Sequence, residues 1–329
     1  KGVSLLSCQI FQPNPNDPSK DLGGDGASAI KWGADNGAVI SQNSWGYTYE
    51  TDAEQAAATI PGHLKAAIDY FIANAGMDAS GKNQVGPMKG GVVIFAAGND
   101  GREHDPIGKY DPVICVGSIG PDFTRAYYSN YGDWVDIAAP GGNSQYNQGE
   151  VLSTIPGNKY GFMQGTSMAC PHVSGVAALV VSHFKGQGFT NTTLREKLIK
   201  GANSSVMSKN AKIGPLVDAF GAMTYGGTKP PANVQSASAS VKSNSITLTW
   251  KVTADPDDKK AYGYIVVAAA DRNKLESLNP TSIPAEISTV VVMTDDLKVG
   301  AEISGTVTDL EFSKDYYAAV IGFDYNRNY

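Results

Sequence analysis

The feature that most constrains the fold is the run Val92-Val93-Ile94-Phe95-Ala96-Ala97, unbroken apolar sequence closed by Gly98. A strand with one wet face alternates apolar and polar residues. A continuous run of this length is instead buried on both faces, as in a parallel sheet flanked by helices. The expected fold class is therefore α/β, a doubly wound and mostly parallel sheet. Ligands in such sheets bind beyond the carboxyl ends of the strands. Asn99, directly after Gly98, is placed to reach such a site. A side-chain amide at Asn99 can donate to an oxyanion, although Asn-Asp-Gly alone is also strong turn chemistry.

A second segment, GTSMACPHVSGVAALV from Gly165 to Val180, puts Ser167 between a glycine turn and an apolar helix. Gly165 permits a tight turn and close approach of a substrate. Thr166 is a good N-cap, and Pro171 is expected within about the first turn, where its missing N–H does least harm. The free N–H groups and dipole of a helix start favour developing negative charge. A nucleophilic serine is wanted at such a place. A Ser-Thr cap on a buried helix is the bland reading of the tripeptide alone.

Further segments occur in one particular order: Asn43-Ser44-Trp45-Gly46, then Gly91 to Asp100, then KYDPVICVG from Lys109 to Gly117. Ser129-Asn130-Tyr131-Gly132, Val135 to Gly141 and STIPGNKY from Ser153 to Tyr160 follow, leading into the serine segment. Together these residues resemble the subtilisin-like serine proteases over roughly residues 1 to 226. The resemblance implies that Ser167 is the nucleophile and Asn99 an oxyanion-hole donor. It implies substrate binding by Ser44, Trp45, Gly46, Ala97, Gly98 and Asp100. Losing one oxyanion donor costs ~2.7–4 kcal/mol in rate, a magnitude that comes from subtilisin itself. On this alignment Asp100 lies at the rim of the primary specificity pocket and favours a basic side chain before the scissile bond. Glu103 and Asp105 follow on the same loop, and simple solvated loop charges are the alternative.

Such chemistry also needs a base, and a carboxylate to orient it. The family carries these in Asp-(Ser/Thr)-Gly and His-Gly-Thr segments. No aspartate here begins such a tripeptide, and none of the four histidines precedes glycine. The chain resembles the family from just after the histidine helix, with VSLLSCQIF (Val3 to Phe11) as the next strand and Gly23 to Asn36 as the next helix. Asp and His are accordingly expected from an upstream segment that completes the catalytic domain. His172 is expected as a packed core residue, His63, opening an amphipathic helix after Ile60-Pro61-Gly62, as a surface or capping residue, and His183 as remote. His104 is the sole local candidate base. The rival to a serine endopeptidase is an incomplete fragment or pseudoprotease that binds peptides.

Composition excludes other classes. With 42% hydrophobic and 18% charged residues the chain is of globular type, and a net charge of −6 argues against nucleic-acid partners. No apolar run reaches the length of a membrane span. Three cysteines do not make a complete disulfide set, and Cys170 reads as a small buried hydrophobe. Thr51 to Asn74 has helical periodicity, and Gly76 to Gly90 reads as a flexible loop. Its Asp-Ala-Ser-Gly-Lys-Asn order lacks the downstream glutamate of a full calcium loop. The family often binds structural calcium, but no ligand set transfers here, and no other cofactor or metal is indicated. The resemblance implies protein or peptide substrates and a secreted, periplasmic or cell-surface location.

Gly226 to Pro231 has linker composition, which divides the chain into residues 1–227 and 228–329. Beyond it the pattern has period two, with strands expected at Asn233–Val241, Ser245–Val252, Tyr262–Ala270, Glu286–Met293, Glu302–Leu310 and Tyr316–Asp324. An antiparallel sandwich follows. Trp250 and the late Tyr-Tyr-Ala-Ala-Val strand resemble a fibronectin type III domain whose last strand is missing, a candidate adhesion or positioning module.

Overall fold

The computed structural model of the protein describes residues 3–11, 13–21, 24–207 and 211–329. The chain divides into two compact units, Lys1–Tyr225 and Gly226–Tyr329. Gly23, the expected start of the first helix, lies outside the described residues.

The first unit opens with a small hairpin, β1 (Pro13–Asn14) and β2 (Asp17–Asp21), followed by α1 (Gly26–Asp35). Asp25 caps α1 by accepting the Ser28 N–H, and Gly37 at φ +90° turns the chain out of it. Then come β3 (Ile40–Asn43), α2 (Asp52–Ala57), α3 (Gly62–Asn74), β4 (Val92–Ala96), β5 (Ile114–Ile119) and β6 (Ile137–Pro140). Strands β3-β4-β5-β6 form one parallel sheet in sequence order, with Ile94 opposite Ile114 and Val116 opposite Ile137. Every residue of β5, and all of β4 but Ala96, is buried. A hairpin, β7 (Val151–Ile155) with β8 (Lys159–Met163), leads into the long helix α4 (Thr166–Phe184). Helix α4 packs against all four strands of the sheet. Among the described residues it is the one helix long and apolar enough to cross a bilayer. Helices α5 (Asn191–Lys200) and α6 (Ala219–Thr224) complete the unit.

Several expectations are corrected. Val3 to Phe11 forms no strand: it is coil, exposed except at Ile10. A strand is stabilised by ladder bonds to neighbours, and among the described residues nothing pairs with this segment. The helical pattern of Thr51 to Asn74 is broken into α2 and α3. Pro61 has no N–H and disfavours helix at Ile60 before it, so α3 begins afresh. The loop from Gly76 to Gly90 is not loose. Asp78 Oδ1 accepts from Ser80 Oγ and the Lys82 and Asn83 N–H groups, Oδ2 accepts from Asn83 Nδ2, and Met88 is fully buried. Those hydrogen bonds hold the Asp78 carboxyl well below the usual range.

The second unit contains β9 (Ala237–Lys242), β10 (Ser245–Lys251), β11 (Ala254–Asp255), β12 (Lys259–Lys260) and β13 (Gly263–Ala269). A short α7 (Arg272–Glu276) precedes β14 (Ser288–Met293), β15 (Glu302–Val307) and β16 (Tyr317–Phe323). Two antiparallel sheets result, β15-β10-β9 and β14-β13-β16. Ile246, Leu248 and Trp250 of β10 share one core with Tyr264, Val266 and Ala268 of β13. Trp250 meets Tyr264 edge-on at 5.1 Å. The two inner faces thus make a β-sandwich.

In the first unit, Phe71 of α3 is the side chain that fits against the backbone at Gly91, directly before β4. A Cβ added at Gly91 would lie 2.4 Å from its ring. Phe71 is 1% exposed, so Phe71→Ala should cost about 3–5 kcal/mol. Guanidinium unfolding followed by tryptophan fluorescence will check this; a loss under about 1 kcal/mol would show that the contact is not part of the core.

Candidate active site

Strand β4 delivers the chain to Gly98, whose φ is +98° and where a Cβ would sit 2.4 Å from Asn130 Nδ2. Only glycine suits that position. Asn99 follows. Its Oδ1 accepts two hydrogen bonds from Thr166, one from the backbone N–H and one from Oγ1, each 2.8 Å. Thr166 Oγ1 in turn accepts the Gly98 N–H at 3.2 Å. With Oδ1 so engaged, the Asn99 amide nitrogen is the end left for another partner.

Thr166 is therefore not the N-cap. Gly165 occupies that place at φ +148°, and Thr166 is the first helical residue. Its hydroxyl holds Asn99 instead of bonding the helix start. In the first turn of α4 the Thr166 N–H goes to Asn99, and the Met168 and Ala169 N–H groups go to Gly165 O. Among the described residues no acceptor meets the Ser167 N–H or Asn99 Nδ2. The two donors border one small space: a Cβ added at Gly165 would lie 3.5 Å from Asn99 Nδ2 and 3.6 Å from Ser167 N.

Ser44, directly beyond β3, meets Ser167 twice. Its Oγ donates to Ser167 O at 2.8 Å, and Ser167 Oγ lies 3.5 Å from Ser44 O. Pro171 explains the first contact. It sits in the second turn rather than the first, and it cannot donate to the carbonyl four residues back, which is Ser167 O. That carbonyl is thus open to the Ser44 hydroxyl. Trp45 is half-buried, edge-on to Phe95 at 5.1 Å, with Nε1 donating to Asn43 Oδ1. Gly46 is exposed, with no atom within 4 Å of where its Cβ would be. Ala97 is buried, and its N–H donates to Val116 O. Asp100 is exposed, its Oδ2 lying 3.4 Å from Asn130 Nδ2. Cys170 is buried beneath the site, which pushes its thiol up to about 11.

The profile of the peptidase S8 subtilase family matches residues 4–223, two-thirds of the chain. The chain belongs to the subtilase family. It is 35% identical over 224 residues to the thermophilic serine proteinase of Bacillus sp. (strain AK1), covering 67% of this chain and 45% of that protein. It is 41% identical over 112 residues to subtilisin E of Bacillus subtilis (strain 168), covering 32% of this chain and 27% of that protein. A solved structure of a protease from Pseudoalteromonas arctica PAMC 21717 is similar at a TM-score of 0.48 and 30% identity, covering 61% of this chain and 59% of that one. The chain spans less than half the length of the curated relatives it matches.

None of this subtilase's histidines meets Ser167 Oγ among the described residues. His172 corrects its expectation: it is exposed on α4, with Nδ1 2.8 Å from Met168 O, because its face of the helix points away from the sheet. His63 is exposed at the start of α3, and His183 lies in the last turn of α4 against Phe184. His104 Nδ1 accepts from Lys109 Nζ at 2.6 Å, which engages the local candidate elsewhere. Asn130 was missed as a site residue. It is fully buried, and its Oδ1 accepts the N–H groups of both Asp100 and Arg102 at 3.0 Å. The only signal for it in sequence was its place in the Ser-Asn-Tyr-Gly segment.

The loop after Asn99 contains a second surprise. Asp105, expected as a loop charge, is 7% exposed. Burial, aided by the Asp100 charge, pushes its carboxyl up to about 6 despite N–H bonds from Ile107 and Gly108. A carboxyl raised in the fold from 3.8 to about 6 binds its proton more tightly when folded. Its contribution to stability is therefore full below pH about 4 and lost as pH rises through about 6, a loss of about 3 kcal/mol. Thermal melts of the wild type and Asp105→Asn across that window check this. The wild type should lose stability relative to the variant as pH rises; parallel curves would refute it.

Proposed function

We propose that this chain is the nucleophile-bearing part of a serine-type endopeptidase that hydrolyses peptide bonds in proteins. The observation that carries the reading is the pair of unpartnered donors, Asn99 Nδ2 and Ser167 N–H, bordering one space at the start of α4. Ser167 Oγ attacks the peptide carbonyl carbon and its proton passes to a base. The carbonyl oxygen, now an anion, is held by the two donors at the start of α4, whose dipole favours the charge. Collapse expels the amine and leaves an acyl-enzyme on Ser167, which water hydrolyses. An extended substrate lies along Ser44 to Gly46 as an added strand, with Gly98 and Asp100 on the other wall; Ala97, fully buried with its N–H bonded to Val116 O, lies behind it. Asp100 at the rim favours a basic side chain before the scissile bond.

The base and its orienting aspartate come from outside these residues. In support, among the described residues no histidine hydrogen-bonds Ser167 and β3 pairs on one side only, and Leu179 of α4 is exposed. The same observation favours a second reading, a peptide-binding pseudoprotease. The names of relatives, such as the extracellular basic protease of Dichelobacter nodosus, support a secreted, periplasmic or cell-surface location. The sandwich unit is read as a fibronectin type III-like positioning or adhesion module.

A sample proven to start at Lys1 should hydrolyse casein only at a residual rate, since without a base what remains is on the order of 10³–10⁴ over water. A fluorophosphonate probe should label it slowly, at Ser167 alone. Gly165→Ala should abolish that labelling, because its Cβ enters the space between the two donors. Rapid turnover that depends on Ser167 would show that a local base, His104 foremost, serves after all. Labelling that survives Ser167→Ala would remove the nucleophile from the account.

A further inference from the structure

Helix α2 has one buried side chain, and it is polar: Gln55, 2% exposed. A short helix ordinarily docks through apolar residues, and burying an amide is costly unless both of its ends are satisfied. Both ends have partners here. Gln55 Oε1 accepts from Arg102 Nη1 at 3.0 Å, and Gln55 Nε2 faces Asp100 Oδ2 at 3.5 Å. The orientation is fixed by chemistry. Arginine can only donate and a carboxylate can only accept, so the amide relays from one to the other.

Arg102 extends the connection. Nη1 also donates to Tyr49 O at 3.2 Å, Nη2 donates to Glu50 O at 3.3 Å, and Nε lies 4.0 Å from Asp52 Oδ1. One guanidinium thus gathers the segment that continues from Ser44-Trp45-Gly46 into α2. Arg102 itself stands three residues after Asn99, on a backbone held by Asn130. The two walls of the proposed substrate cleft are therefore tied together by side chains that touch neither Ser167 nor Asn99.

We propose that Gln55 and Arg102 are positioning residues. They clamp the segment after Gly46 to the loop bearing Asn99, and they hold the Asp100 carboxylate where it meets a basic side chain preceding the scissile bond. The clamp rests on the peptidase reading above and adds a specificity device to it. Asp100 supplies the charge, and Gln55, oriented by Arg102, holds it from the α2 side, opposite Asn130, whose Nδ2 lies 3.4 Å from the same oxygen.

The test measures equilibrium binding of two fluorescein-labelled peptides to the full chain by anisotropy. Both are acyl-side products with a free carboxylate, Ala-Ala-Ala-Arg and Ala-Ala-Ala-Leu. Q55L and R102M should each raise the Kd of the arginine peptide about tenfold, and R102K should recover little of it, since one ammonium cannot reproduce the guanidinium fork. The leucine peptide should change less than about threefold in Q55L. In a D100N background Q55L should have no further effect on the arginine peptide, since the amide acts through that carboxylate. A general loosening of the fold would not give this pattern. Variants that bind both peptides as the wild type does overturn the clamp and leave the peptidase reading standing. Equal losses for both peptides, or an undiminished loss in D100N, overturn it too. A wild-type chain that binds neither peptide would remove the substrate cleft, and the clamp with it.

Discussion

Asn99 Oδ1 accepts two hydrogen bonds from Thr166, and much of the site depends on that junction. It ties the end of β4 to the start of α4, through residues 67 positions apart in the chain. It also decides which end of the Asn99 amide is available. An asparagine on an exposed turn is free to rotate; one whose oxygen receives both an N–H and an O–H presents its nitrogen in one direction only. Preorganisation of that kind is what an oxyanion donor requires, because little then has to move as charge develops. Gly98 and Gly165 permit the junction, the first by tolerating Asn130 at close range and the second by leaving the space in front of the donors empty.

The opposite wall is set by a missing hydrogen bond. Pro171 leaves Ser167 O without its helical donor, and Ser44 Oγ supplies one. A proline in the second turn would ordinarily weaken a helix. Here its carbonyl partner is not orphaned, and the substitute bond anchors the residue that begins the proposed substrate strand. The proposed nucleophile, oxyanion donor and substrate strand are thus held by groups one residue removed from them: the Thr166 hydroxyl beside Ser167, the Gly98 N–H beside Asn99 and the Asn43 amide beside Ser44.

Periodicity made the larger architecture legible. The unbroken Val92 to Ala97 run became β4 in the middle of a parallel sheet, and the alternation around Trp250 became β10 with its inner face buried. Those patterns are local, so a single sequence carries them. Val3 to Phe11 has a strand's pattern as well, but a pattern makes a strand only where a neighbour exists to pair with it. The break at Pro61 was readable, and the helix expected to open at His63 after it is α3. Thr166 was placed as a cap because Thr is good at capping; its distant partner Asn99 overrode that preference. Gln55, Arg102 and Asn130 left little trace, since their partners lie 28 to 53 residues away and nothing in the local sequence announces them.

The most direct measurement is a crystal structure of the full chain with a peptidyl boronic acid, which mimics the tetrahedral intermediate. Boron should be bonded to Ser167 Oγ. One boronate oxygen should lie about 3 Å from both Asn99 Nδ2 and Ser167 N, with Thr166 still donating to Asn99 Oδ1. A boronate bonded to another residue, or an Asn99 amide turned away from the boronate oxygen, would contradict the account at its centre.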